Sequence, residues 1–74
     1  MQEERRFLFT VIPQENCLSQ QALKQKLLGV AGITQADVSP TEGRVYLQAH
    51  SLTHQALAQL LEQSGYRVDS AQPL

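Results

Sequence analysis

The chain has 74 residues, enough for one domain whose small core is marginal unless most apolar side chains turn inward. Six basic residues against seven acidic ones give a net charge of -1 with no run of either sign, which leaves little for nucleic acid or an anionic membrane to attract. One cysteine excludes an intramolecular disulfide, the amino terminus through Arg6 lacks the apolar stretch of a secretory signal, and nothing approaches a spanning helix. Reducing cytosol is the expected compartment, without direct membrane insertion.

The first predicted element is a strand. Phe7-Leu8-Phe9-Thr10-Val11-Ile12 is aromatic and β-branched, suited to a pleated and partly buried surface, and Pro13 cannot donate a further ladder bond. From Ser19 to Ala31 the apolar positions Ala22, Leu23, Leu27 and Val30 recur at helical spacing, so a helix with one buried stripe is expected. Asn16 or Ser19 would cap it, and Gly32 suits a left-handed stop. Ile33, Ala36 and Val38, then Val45, Leu47 and Ala49, form two short strand patterns. Ser39-Pro40-Thr41-Glu42-Gly43 joins them as a hairpin, because Pro fixes φ for turning and Gly tolerates positive φ.

The second helix is the clearest element. Thr53 would be its N-cap, Leu57, Leu60 and Leu61 its buried stripe, and Gly65 its carboxyl-terminal stop. Tyr66-Arg67-Val68 then forms a short last strand, and residues 69–74 read as a frayed tail. The order β-α-β-β-α-β, with right-handed crossovers, gives an α+β fold: a ferredoxin-like sandwich, a four-stranded antiparallel sheet with two helices on one face. Residues 1–74 make a single domain with its core at about 7–68.

Several stretches carry a family resemblance. Gly32-Ile33 followed by Ala36-Asp37-Val38, then Gly43-Arg44-Val45-Tyr46-Leu47, then Leu57-Ala58, Leu60-Leu61-Glu62 and Gly65-Tyr66-Arg67-Val68, resemble the heavy-metal-associated domain of copper chaperones and metal-pumping ATPases. In that family the first strand leads into Gly-Met-x-Cys-x-x-Cys. By the family's usual spacing, those positions here are Pro13, Gln14, Asn16 and Ser19. The resemblance therefore implies a domain of this kind in which the two-thiolate motif is degenerate, with Cys17 lying between the expected ligand positions.

Two thiolates on one tight loop chelate a soft ion such as Cu(I), helped by the positive end of the following helix. Asn16 and Ser19 offer neither charge nor softness. Cys17 is then either a small apolar-tolerant residue at a helix start or a single soft ligand that needs a second donor from another chain, a small thiol or a ring nitrogen. Tyr66 falls at the same end of the fold, where the family's aromatic or lysine shields bound metal. It reads as a half-buried ring under a short loop and as the first neighbour of Cys17.

His50 and His54 invite a metal reading, since a strand end and the next helix's first turn can approach each other. The topology puts them at the opposite end of the sheet from Cys17. Leu8, Ile12 and Tyr46 fall on the open sheet face as a modest apolar patch suited to an interface, although scattered surface apolars are ordinary. A single tyrosine without flanking basic residues makes base stacking there a poor use, and no nucleic-acid role is expected. Glu3, Glu4, Glu42 and Glu62 read as solvated surface. No nucleophile, base and orienting group converge, so a non-enzyme is expected. The expected function is a docking or regulatory module that partners a related domain or a metal transporter. The alternative is Cu(I) or another soft ion shared between Cys17 residues of a homodimer.

Overall fold

A computed structural model describes residues 4–74. In chain order the elements are β1 (Glu4–Pro13), α1 (Gln20–Leu28), β2 (Ile33–Ser39), β3 (Arg44–His50), α2 (His54–Gln63) and β4 (Tyr66–Pro73). The strands form one antiparallel sheet in the order β2-β3-β1-β4. With the two helices this is the expected ferredoxin-like β-α-β-β-α-β arrangement.

The strand alternation decides which face is covered. Phe7, Phe9 and Val11 of β1, Ile33, Ala36 and Val38 of β2, and Val45, Leu47 and Ala49 of β3 are buried against Leu23 and Leu27 of α1 and Leu57 and Leu61 of α2. Fully burying a Leu or Phe is worth about 1.5–3 kcal/mol, so this cluster is what holds a chain of this length together. The helix stripes match expectation at Leu23, Leu27, Leu57 and Leu61, while Ala22, Val30 and Leu60 are only half-buried.

The boundaries need two corrections, while the β2–β3 hairpin forms as expected. The first helix ends at Leu28 rather than near Ala31, with Gly29 as its cap. Gly32 does not stop that helix; at φ +100° it shapes the next turn, closed by the Ile33 N–H donating to the Val30 carbonyl at 3.2 Å. The residues joining β2 to β3 form a single turn of 3-10 helix, Pro40–Glu42, which Gly43 ends in the left-handed conformation.

The largest departure is at the carboxyl end. Residues 69–74 are not a frayed tail: β4 runs to Pro73, and Ser70, Ala71, Gln72 and Pro73 pair with Thr10, Phe9, Leu8 and Phe7. A strict period of two continued from Tyr66 and Val68 would aim Ser70 and Gln72 at the core, which is why the sequence pattern stops at Val68. A bulge opposite the Thr10–Val11 step resets the phase, so that Ala71 packs on the core instead. A matching irregularity between Ile33 and Gln35 explains the three-residue step from Ile33 to Ala36. Glu4, Glu42 and Glu62 are exposed as expected, and Glu3 lies outside the described residues.

Candidate functional site

The connection from β1 to α1, the 3-10 turn and the connection from α2 to β4 lie at one end of the sheet, since Thr10 pairs with Arg44 and Pro13 with Tyr66. Residues 14–19 are the turn entering the first helix. The Cys17 N–H donates to the Gln14 carbonyl at 3.2 Å, which folds the loop back on itself before the helix begins. Ser19, rather than Asn16, is the N-cap: its hydroxyl accepts from the Ala22 N–H at 3.2 Å. The Gln20 side-chain amide donates to the Val38 carbonyl at 2.7 Å, tying the start of α1 to the end of β2.

The loop is clamped from the other side by the end of α2. Gln14 N–H donates to the Gly65 carbonyl at 3.0 Å and Leu18 N–H to the Ser64 carbonyl at 2.9 Å. Gly65 adopts φ +91°, and a Cβ there would stand 2.5 Å from the Cys17 Cα. Only glycine allows so close an approach of two backbones. Ser64 is buried, and its hydroxyl donates to the Leu60 carbonyl at 2.8 Å, so the polar group is satisfied inside the helix it ends.

Tyr66 is not half-buried; only 1% of it is exposed. Its hydroxyl donates to the Leu18 carbonyl and pins the loop from beneath. Burial raises the phenol above its ordinary value, and the neighbouring Cys17 thiol adds to this through charge and a hydrogen bond. Cys17 is itself partly exposed and packs against the core beside Leu18. The fold thus brings Cys17 and Tyr66 together at one end, with Asn16 and Ser19 exposed on the same loop.

The histidines occupy the other end. His50 Nε2 lies 3.0 Å from a Glu4 carboxylate oxygen, while Nδ1 has no hydrogen-bond partner. The exposed His54 ring sits against Phe7, with centroids 6.4 Å apart. Among the described residues no group of three or more His, Cys, Asp or Glu is placed to hold a metal ion. Glu4 as the partner of His50 escaped the sequence reading because a strand beginning at Phe7 does not reach it.

On the uncovered sheet face Leu8 and Tyr46 stand opposite each other, and Ile12 faces Arg67. Leu8 and Tyr46 are half-buried and Ile12 is 46% exposed. The buried Ser64 and the Gly65 contact were missed as parts of the loop end. Gly65 was visible only as a helix stop; its second duty, admitting the Cys17 backbone, depends on a contact 48 residues away in sequence, which periodicity does not encode.

No protein-family model matches the chain, and no curated protein does. Among solved structures, the fold is similar to the copper(I)-loaded form of the first domain of the human copper chaperone for SOD1. The identity is 26%, the TM-score 0.61, and the match covers 99% of this chain and 93% of that one. The fold is therefore of the heavy-metal-associated, copper-chaperone-like kind, related in shape to a metal-chaperone module. No helix among the described residues is long and apolar enough to cross a membrane.

Proposed function

We propose that this chain is a non-catalytic docking or regulatory module on a copper-chaperone-like sandwich, without high-affinity metal chelation of its own. The donor set of the 14–19 loop carries the reading. A two-thiolate chelate needs two cysteines, and the whole chain has one. Asn16 is a neutral amide, and the Ser19 hydroxyl is engaged in capping α1. These side chains do not fit a soft cation, which prefers thiolate. The loop is held by backbone bonds to Ser64 and Gly65 and by the Tyr66 hydroxyl, so its shape does not depend on a bound ion. The partner we assign is a protein, a related domain or a metal transporter, met in the reducing cytosol.

One observation keeps a second reading in view. Cys17 is partly exposed at the loop end, where a second copy could present its own Cys17 to a shared Cu(I) ion. A titration of reduced protein with Cu(I) against a competing chelator separates the two. The docking reading expects no binding that survives competition, in the parent chain or in Cys17→Ser. Half an equivalent bound tightly, with dimer formation and loss of both in Cys17→Ser, would establish the bridging thiols instead. A full equivalent held by the monomer would reject both.

A further inference from the structure

The uncovered sheet face is more than a small apolar patch. Alternation along each strand and the register between strands assign its members: Arg6, Leu8, Thr10 and Ile12 from β1, Arg44, Tyr46 and Gln48 from β3, Arg67 from β4, and Asp37 from β2. Neighbouring strands lie about 4.8 Å apart and alternate residues on a strand about 6.8 Å apart. Leu8 and Tyr46 therefore form an apolar centre, with Arg6 and Arg44 each one step away along the strands, and Ile12 beside Arg67 extends it. Half of the chain's six basic residues stand here, all exposed. Among the described residues the single carboxylate contact to a basic side chain is Glu4 with His50, at the sheet's far end, so no described carboxylate pairs with these arginines. Two described acids share the face: Asp37, which accepts a hydrogen bond from Gln35 at 3.2 Å, and Glu4 at its edge, engaged with His50 at 3.0 Å; Asp69 lies at the β4 bulge.

We propose that this face docks an acidic protein surface, one that presents carboxylates around an apolar centre. This deepens the docking reading above and rests on it. Arginine and tyrosine are among the residues that anchor protein interfaces, and a guanidinium donates two parallel hydrogen bonds to a carboxylate. The charge pattern selects the occupant. A second copy would set three arginines against a face whose described acids, Asp37 and Glu4, are already engaged with Gln35 and His50, so net positive charge would meet net positive charge, which is unfavourable across a contact. A single-stranded nucleic acid would satisfy the arginines, which flank Tyr46 against expectation, but base stacking needs successive aromatic platforms: Tyr46 stands alone at the centre, and the His50 ring, four residues away at the sheet's end, is engaged with Glu4. The overall charge of -1 hides this local surplus, because the acids lie mostly elsewhere.

The test is a titration of isotope-labelled protein, read by amide chemical shifts, with an extended peptide alternating glutamate with leucine and phenylalanine. The same peptide with lysine for glutamate and an oligo-uridine strand are the comparisons. The expected result is saturable binding of the glutamate peptide, shifts confined to the open-face strands, weakening with salt, and a loss of about tenfold or more in the Arg44→Glu/Arg67→Glu variant. Leu8→Lys should also weaken it. Thermal unfolding of each variant shows that the sheet persists, and Arg44→Gln/Arg67→Gln, with an intermediate loss, serves if the reversal perturbs it. Equal binding of the lysine peptide, preference for oligo-uridine, concentration-dependent dimers through this face, shifts mapping to residues 14–19, or no binding overturns the proposal. Because Cu(I) is absent throughout, its failure leaves the unchelated reading of the loop to stand or fall on the copper titration.

Discussion

Tyr66 shows how one side chain joins core and loop. Its ring fills the space under residues 17–18, and its hydroxyl holds the Leu18 carbonyl. Tyr66→Phe keeps the ring and removes the bond, so a loss of about 1 kcal/mol in chemical denaturation is expected. The raised phenol adds a pH signature. The unfolded chain ionises this group near the ordinary value of 10.0, whereas burial and Cys17 keep it protonated to higher pH in the folded chain. Its contribution is therefore full below pH 10 and declines as pH rises toward the folded value. Tyr66→Phe should flatten that alkaline decline, and an unaltered slope would contradict the assignment. Gly65 makes the complementary case: Gly65→Ala combines a positive φ with a Cβ driven into the Cys17 backbone, and should cost about 2 kcal/mol or more. Thermal unfolding of that variant is the check; equal stability would show that the loop can retreat.

At the level of elements, β4 is where sequence and structure part most. The inward positions of β1, β2, β3 and both helices were legible because apolar side chains recur there with the period of each element. Ser19 and Gly65 were legible as candidate helix ends from their chemistry alone, though Asn16 competed for the cap. The far half of β4 was illegible for a physical reason: a bulge breaks the period of two, and polar Ser70 and Gln72 then face outward while small Ala71 faces in. The competing readings make opposite forecasts for a chain cut after Val68. A frayed tail would be lost without effect, whereas a strand paired with Phe7–Thr10 leaves one side of β1 bare. A loss of about 2–4 kcal/mol is expected from the ladder bonds and the uncovered core. Urea unfolding of the truncated chain decides between them.

Over the whole molecule, the topology sorts the chemistry-bearing residues into three separate places. Cys17 and Tyr66 share one end, the Glu4–His50 pair holds the other, and the arginines ring Leu8 and Tyr46 on the face between them. The separation of Cys17 from the histidines was readable from the order of elements alone, since antiparallel strands fix which connections share an end. The contacts at each end were not, because they join residues far apart in the chain. Zinc provides a check on this layout. The His50 ring is engaged with Glu4 and the His54 ring lies on Phe7, so calorimetry should show only weak, millimolar-range zinc binding. His50→Ala should abolish it, and Cys17→Ser should leave it unchanged. Tight zinc binding lost in Cys17→Ser would mean that the two ends communicate.

The irregularities in β2 and β4 have one more effect. These are the outermost strands, the two places where a stray chain could add itself to the row of unpaired amides. Each is locally out of step, at Thr34 in one and opposite Thr10–Val11 in the other, and β4 ends in a proline that has no amide hydrogen to offer. A kinked and interrupted border is a poor template for fibre growth. The sheet can thus leave one broad side bare to water, and at high concentration the protein should resist stacking border to border.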